Sequence, residues 1–142
     1  MNRPKPKMRE FARQLIAYET RRGSSEAKSP AAFLVCAKLR PQLATLMGNG
    51  GFRALLSRAL VLANADAVWL RPVQVKADGS LERMDERTGQ SSAKEIAEGG
   101  EILVARLLGL LEDFIGEDLT VRLVRDVWPQ LSTNEHEFDE GT

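Results

Sequence analysis

Apolar residues recur along this chain at spacings of three and four, so the pattern predicts helices over most of its length. Residues 7–21 carry Met8, Phe11, Ala12, Leu15 and Ile16 on one stripe, and Gly23 can adopt the left-handed conformation that ends a helix. After a polar connector, Ser29-Pro30 supplies an N-cap hydroxyl and a proline at the first helical position. The next stripe, from Phe33 through Cys36, Leu39, Leu43, Leu46 and Met47, passes across Pro41. Proline inside a helix costs about 3 kcal/mol, so a kink or break is expected at 40–41.

The stretch GNGGFRALLSRAL, residues 48–60, sets glycines directly before an apolar helix. A phosphate-cradling loop needs a preceding strand and a following Lys-Ser/Thr. Here the preceding PQLATLM reads as helix, and Phe52 and Arg53 follow the glycines. Gly48 is therefore expected to end one helix, with Asn49-Gly50-Gly51 as a tight turn into the next. A generic anion site, built from the N–H groups of the new helix with Arg53 beside them, is the functional alternative.

The following helix, 52–66, is apolar on most sides, with Phe52, Leu55, Leu56, Ala59, Leu62 and Ala63 on one face. Arg53, Ser57 and Asn64 leave a narrow polar strip. Residues 68–90 change character, with a proline, an Asp78-Gly79 turn signal and a short alternation at Val73 and Val75. A two-residue turn at Asp78-Gly79 would set Val75 against Glu82, a poor cross-strand pair, so this segment is expected to be an extended arm or a small hairpin.

Ser92 to Glu95 reads as a capping box opening a helix that carries Ile96, Leu103, Leu107, Leu110, Leu111 and Phe114. Gly99-Gly100 lies inside it. Either the helix starts at Glu101, or another backbone approaches closely there. Gly116 ends this helix. A last one, about 118–128, presents Leu119, Leu123, Val124 and Val127 and stops at Trp128-Pro129. A helix-turn-helix laid on Gly116 would bury Glu117, Arg122 and Arg125, which excludes that register.

These elements predict an all-α fold: a compact bundle of about five helices with an arm or hairpin at 68–90 and disordered termini. Residues 1–6 read as a flexible basic N-terminus, 7–131 as one helical domain and 132–142 as a disordered acidic tail. The chain's 142 residues suit a single domain, and 43% apolar with 28% charged residues suits a globular one. Phrases such as GGFRALLSRAL and LTVRLVRDVWP have the look of a compact bacterial single-domain protein and point to no family of known function.

Charge changes the picture only at the ends. Net charge is zero, yet residues 1–22 hold Arg3, Lys5, Lys7, Arg9, Arg13, Arg21 and Arg22 against Glu10 and Glu19. The last eleven residues carry acids and no lysine or arginine. The most apolar run, 102–115, is too short to span a bilayer and contains Arg106, Glu112 and Asp113, so no membrane association is expected. A lone Cys36 allows no internal disulfide, which suits a cytoplasmic protein.

Candidate chemistry is sparse. His136 is the only histidine and lies in the acidic tail. Cys36 is flanked by apolar residues and reads as a buried structural thiol. The paired carboxylates, such as Glu112-Asp113 and Glu117-Asp118, are adjacent in sequence and so share no helix face. No enzyme, cofactor or metal site is expected.

The expectation is a non-enzymatic adaptor or regulatory protein acting through protein–protein contacts. It is expected to form a homodimer through the 52–66 or 101–115 helix, because both are apolar nearly all round. Arg53, Trp69 and Trp128 are its candidate partner-binding residues, tryptophan and arginine being enriched at contact centres. The alternative use for Trp69 and Trp128 is in the core or at its rim. The alternative function is nucleic-acid association through the basic residues 3–22.

Overall fold

The computed structural model describes residues 6–22, 31–67, 70, 73–83 and 93–129. They form four helices and one hairpin. In chain order these are α1 (Pro6–Arg22), α2 (Ala31–Asn64), β1 (Val73–Val75), β2 (Leu81–Arg83), α3 (Ala93–Ile115) and α4 (Glu117–Val127). The all-α class expected from the pattern is observed. The count is four rather than about five, because the two helical stretches on either side of Gly48 follow each other without a gap and are counted together as α2, with a kink at that glycine. The expected terminal segments, the Ser29-Pro30 start and the Ser92 cap lie outside the described residues.

α3 is the central helix, packed against α1, α2 and α4. Between 103 and 109 every residue is buried, with Leu103, Val104, Leu107 and Leu108 fully so. The helix starts at Ala93, not Glu101, and Gly100 lies within it. A Cβ on Gly100 would stand 2.8 Å from the Cβ of Ala32, so the glycine is what lets α2 come this close. Of the two explanations for the internal glycines, close approach of another element is the one observed.

The break in α2 is not at Pro41. Residues 40 and 41 keep helical geometry, and the only non-helical residue inside α2 is Gly48, at φ 81° and ψ 159°. Both Pro41 and Ala37, whose carbonyl the ring crowds, face solvent. On the solvent side of a helix a carbonyl is free to tilt outward and bond water, which relieves such a clash. Thr45 Oγ1 donates to the Pro41 carbonyl at 2.9 Å on the next turn.

Gly48 alone makes the turn that Asn49-Gly50-Gly51 was expected to share, since all three of those residues are already helical. Gly116 repeats the device between α3 and α4, at φ 92° and ψ 161°. Extended ψ at positive φ is a region essentially reserved for glycine. In each case one residue redirects the chain straight into the next helix.

The hairpin pairs Val73 with Arg83, Gln74 with Glu82 and Val75 with Leu81. The turn runs one residue longer than the two-residue alternative. Gly79 N–H donates to the Lys76 carbonyl at 2.9 Å, and Lys76 N–H donates to the Ser80 carbonyl at 2.8 Å. With Gly79 at φ 88°, this is a type I turn followed by a left-handed glycine. The one-residue change moves Val75 from Glu82 to Leu81, which removes the mismatch that argued against a hairpin.

Candidate functional site

The glycine stretch of α2 is where the hairpin docks. Arg40 Nη1 donates to the Asp78 carbonyl at 3.0 Å, and Asn49 Nδ2 donates to the Ala77 carbonyl at 3.3 Å. Gly79 is buried at this junction. A Cβ there would lie 3.1 Å from both Arg40 Cδ and Phe52 Cε2. The turn thus sits over the Phe52 ring, against the bend that Gly48 makes. Asp78 accepts hydrogen bonds from the Ser80 hydroxyl (2.6 Å) and the Ser80 N–H (2.9 Å). These bonds hold its carboxyl below the ordinary range, helped by the positive charges of Arg40 and Lys76.

Beyond the bend, α2 turns an open face to solvent. Gly50, Arg53, Ala54, Ser57, Arg58 and Val61 are all exposed, Val61 at 67%. At about 100° per residue, Arg53 and Arg58 mark the edges of an exposed arc of about 140°, and Val61 falls near its middle. The polar strip is therefore wider than the sequence pattern suggested. No carboxylate lies between 49 and 65. Neither Arg53 nor Arg58 makes an ion pair with another described residue.

The three residues expected at a partner site do not come together. Arg53 lies on the open face, and Trp69 is outside the described residues. Trp128 is 1% exposed, so its indole is part of the core rather than a surface anchor. Its Nε1–H donates to Glu19 Oε2 at 2.8 Å, and the same oxygen pairs with Lys38 Nζ at 2.6 Å. Lys38 Nζ also lies 5.9 Å from the centroid of the Tyr18 ring. This cluster ties α1, α2 and the end of α4 together.

Sequence reasoning missed Glu19, although a signal was present. Glu19 continues the stripe of Leu15 and Ile16 at i+4 and i+3, and an acid in an apolar register needs a buried partner. Arg106 follows the same logic, three residues after Leu103. It is 9% exposed, with Nη2 3.6 Å from Asp66 Oδ2 and Nε without a hydrogen-bond partner.

Several charged groups of α1 are also engaged. Lys7 pairs with Glu117. Arg9 Nε reaches Glu101 at 2.8 Å, and Arg13 pairs with Glu10 at 3.2 Å. Burial pushes the Cys36 thiol up to about 12, so it stays protonated and unreactive at neutral pH. Among the described residues, no group of three or more His, Cys, Asp or Glu side chains could hold a metal ion, and no helix is long and apolar enough to cross a membrane.

The arrangement is a helical core with a docked hairpin and one exposed, arginine-edged face whose arginines have no ion-pair partner among the described residues. No protein-family model matches this chain, and no curated protein or solved structure matches it significantly.

Proposed function

We infer that this chain is a non-enzymatic helical adaptor or regulatory protein that works through protein–protein contacts. The observation that carries this reading is the set of large apolar side chains at the surface. Val61 is 67% exposed, Phe114 65%, Leu46 45% and Leu119 39%. Contact surfaces place such residues beside arginine, and the face of α2 does so. The buried ionisable groups support the reading from the other side. Glu19 is held by Lys38 and Trp128, and the Cys36 thiol is masked, so neither is poised for acid–base or nucleophilic work.

Self-association is one form such contact can take. The 101–115 helix spends most of its apolar surface inside the chain, with Phe114 its main exposed residue. The 52–66 stretch keeps an open face. The nucleic-acid reading rests on residues 3–22, where Lys7, Arg9 and Arg13 are already paired with carboxylates. That pairing lowers the charge available to phosphates.

The test is a photo-crosslinking residue placed at Val61, Phe114 or exposed Gln42, in the cells the protein comes from. One discrete adduct, a partner or a second copy, is expected at Val61 or Phe114 and not at Gln42. Equal diffuse labelling at all three positions would remove the adaptor reading.

A further inference from the structure

We propose that the open face of α2 between Gly50 and Val61 docks an amphipathic helix with a small or apolar seam and carboxylates along its flanks. The proposal rests on the adaptor reading and names the chemistry of its partner. The middle of the face, made by Gly50, Ala54, Ser57 and Val61, is small-residued and exposed. A shallow strip of this kind lets another helix lie close along it. The edges, Arg53 and Arg58, are cations without ion-pair partners among the described residues. On α1, by contrast, Lys7, Arg9 and Arg13 are each neutralised by a carboxylate of this chain.

Charge decides among possible occupants. A second copy laid on this face would bring Arg53 and Arg58 against their own equivalents, with no carboxylate from 49 to 65 to relieve them. Like charges at such flanking positions select against pairing, and opposite charges select for it. A nucleic-acid backbone would use both arginines but leave Val61 facing phosphate. Only a partner with an apolar centre and acidic margins uses all of the face.

The probe is a display library of helices of about 16 residues, roughly 24 Å at 1.5 Å per residue and so long enough to cover the roughly 18 Å from Gly50 to Val61. Each member carries a constant leucine–alanine seam, and its flanks are randomised among Glu, Gln and Lys. Panned on the whole chain, Glu should enrich over Lys by roughly tenfold or more, the scale of a few favourable charge contacts. Against the double variant Arg53→Glu/Arg58→Glu the preference should reverse. Against Arg122→Glu, on the exposed side of α4, it should persist. Val61→Asp should abolish binding of the selected peptides while leaving the unfolding midpoint in place.

Absence of selection, or a Glu preference that survives the double charge reversal, overturns the proposal. Selected helices that crosslink at Phe114 instead of Val61 also overturn it, yet leave the adaptor reading standing. A short DNA duplex that displaces the Glu-flanked peptides and depends on Arg53 and Arg58 assigns the face to phosphate. A dimer dissolved by Val61→Asp assigns it to a second copy. Either result ends the proposal.

Discussion

The indole N–H of Trp128 donates to Glu19 Oε2 at 2.8 Å across 109 residues of sequence. Near the other end of α4, Glu117 meets Lys7. The two contacts are eleven residues apart on α4 and twelve apart on α1, so the helices run parallel and nearly in step. Both Glu19 and Trp128 are buried, and a carboxylate in that position is stable only while its oxygens are occupied. Glu19→Ala leaves the indole donor unpaired and should cost about 1–3 kcal/mol. Trp128→Ala empties a core site and should cost about 3–5 kcal/mol. Urea denaturation of Glu19→Ala, Trp128→Phe and the double variant should reveal a coupling of roughly 0.5–3 kcal/mol. Strict additivity would mean that the hydrogen bond contributes nothing to the fold.

Three glycines crowd the bend of α2, and two of them, Gly48 and Gly50, should respond to alanine in opposite directions. Gly48 sits at φ 81°, where a Cβ is strained, and Gly48→Ala should cost about 1–3 kcal/mol. Gly50 is helical, exposed and has open space around it. Gly50→Ala should therefore stabilise the chain by up to about 1 kcal/mol. Gly116→Ala should behave like Gly48→Ala, because its backbone angles are nearly the same. Thermal or urea unfolding of the three variants checks this. Equal losses at Gly48 and Gly50 would contradict the observed division of roles.

Much of the helical frame was legible because local rules decide it. The stripe at Met8, Phe11, Ala12 and Leu15 announces α1, and Gly116 announces the junction of α3 and α4. What stayed hidden depended on partners distant in sequence. Pro41 keeps its helix because it faces solvent, which a one-dimensional pattern does not say. The hairpin register turned on a single extra residue between Lys76 and Ser80. Trp128 could be read as anchor or core until Glu19 stood beside it. The candidate site was legible only at Arg53. The width of the open face emerged once burial had separated Val61 from Leu56 and Leu60.

Gly100 and Ala32 mark a close approach of α2 to α3. Gly100→Ala would set two Cβ atoms 2.8 Å apart, well inside van der Waals contact. The overpacking should cost about 1–3 kcal/mol, outweighing alanine's better helix propensity. Adding Ala32→Gly removes the clash and should recover most of that loss, short of about 1 kcal/mol for the new glycine. Denaturation midpoints of the single and double variants measure the rescue. A double variant no better than Gly100→Ala would show that the contact is not what requires glycine.

The turn that docks on the bend of α2 should carry a pH signature through Asp78. Its carboxyl is held below the ordinary value of 3.8, first by the Ser80 hydroxyl, then by the Ser80 N–H, with Arg40 and Lys76 adding to the effect. A carboxylate whose value is lower in the folded chain than in the unfolded one binds fewer protons when folded. Its stabilising contribution is full above the unfolded value and disappears as pH falls through the folded one. Asp78→Ala should therefore lower the urea midpoint at pH 7. The difference from the natural chain should shrink as pH falls below that ordinary value of 3.8. Asp78→Asn keeps an oxygen that can accept from Ser80, so it should lose less than alanine at pH 7. Its own midpoint should lack the part of the acid dependence that Asp78 supplies. A gap between Asp78→Ala and the natural chain that stays constant down to strongly acidic pH would show that the carboxylate's charge plays no part in holding the turn against Arg40.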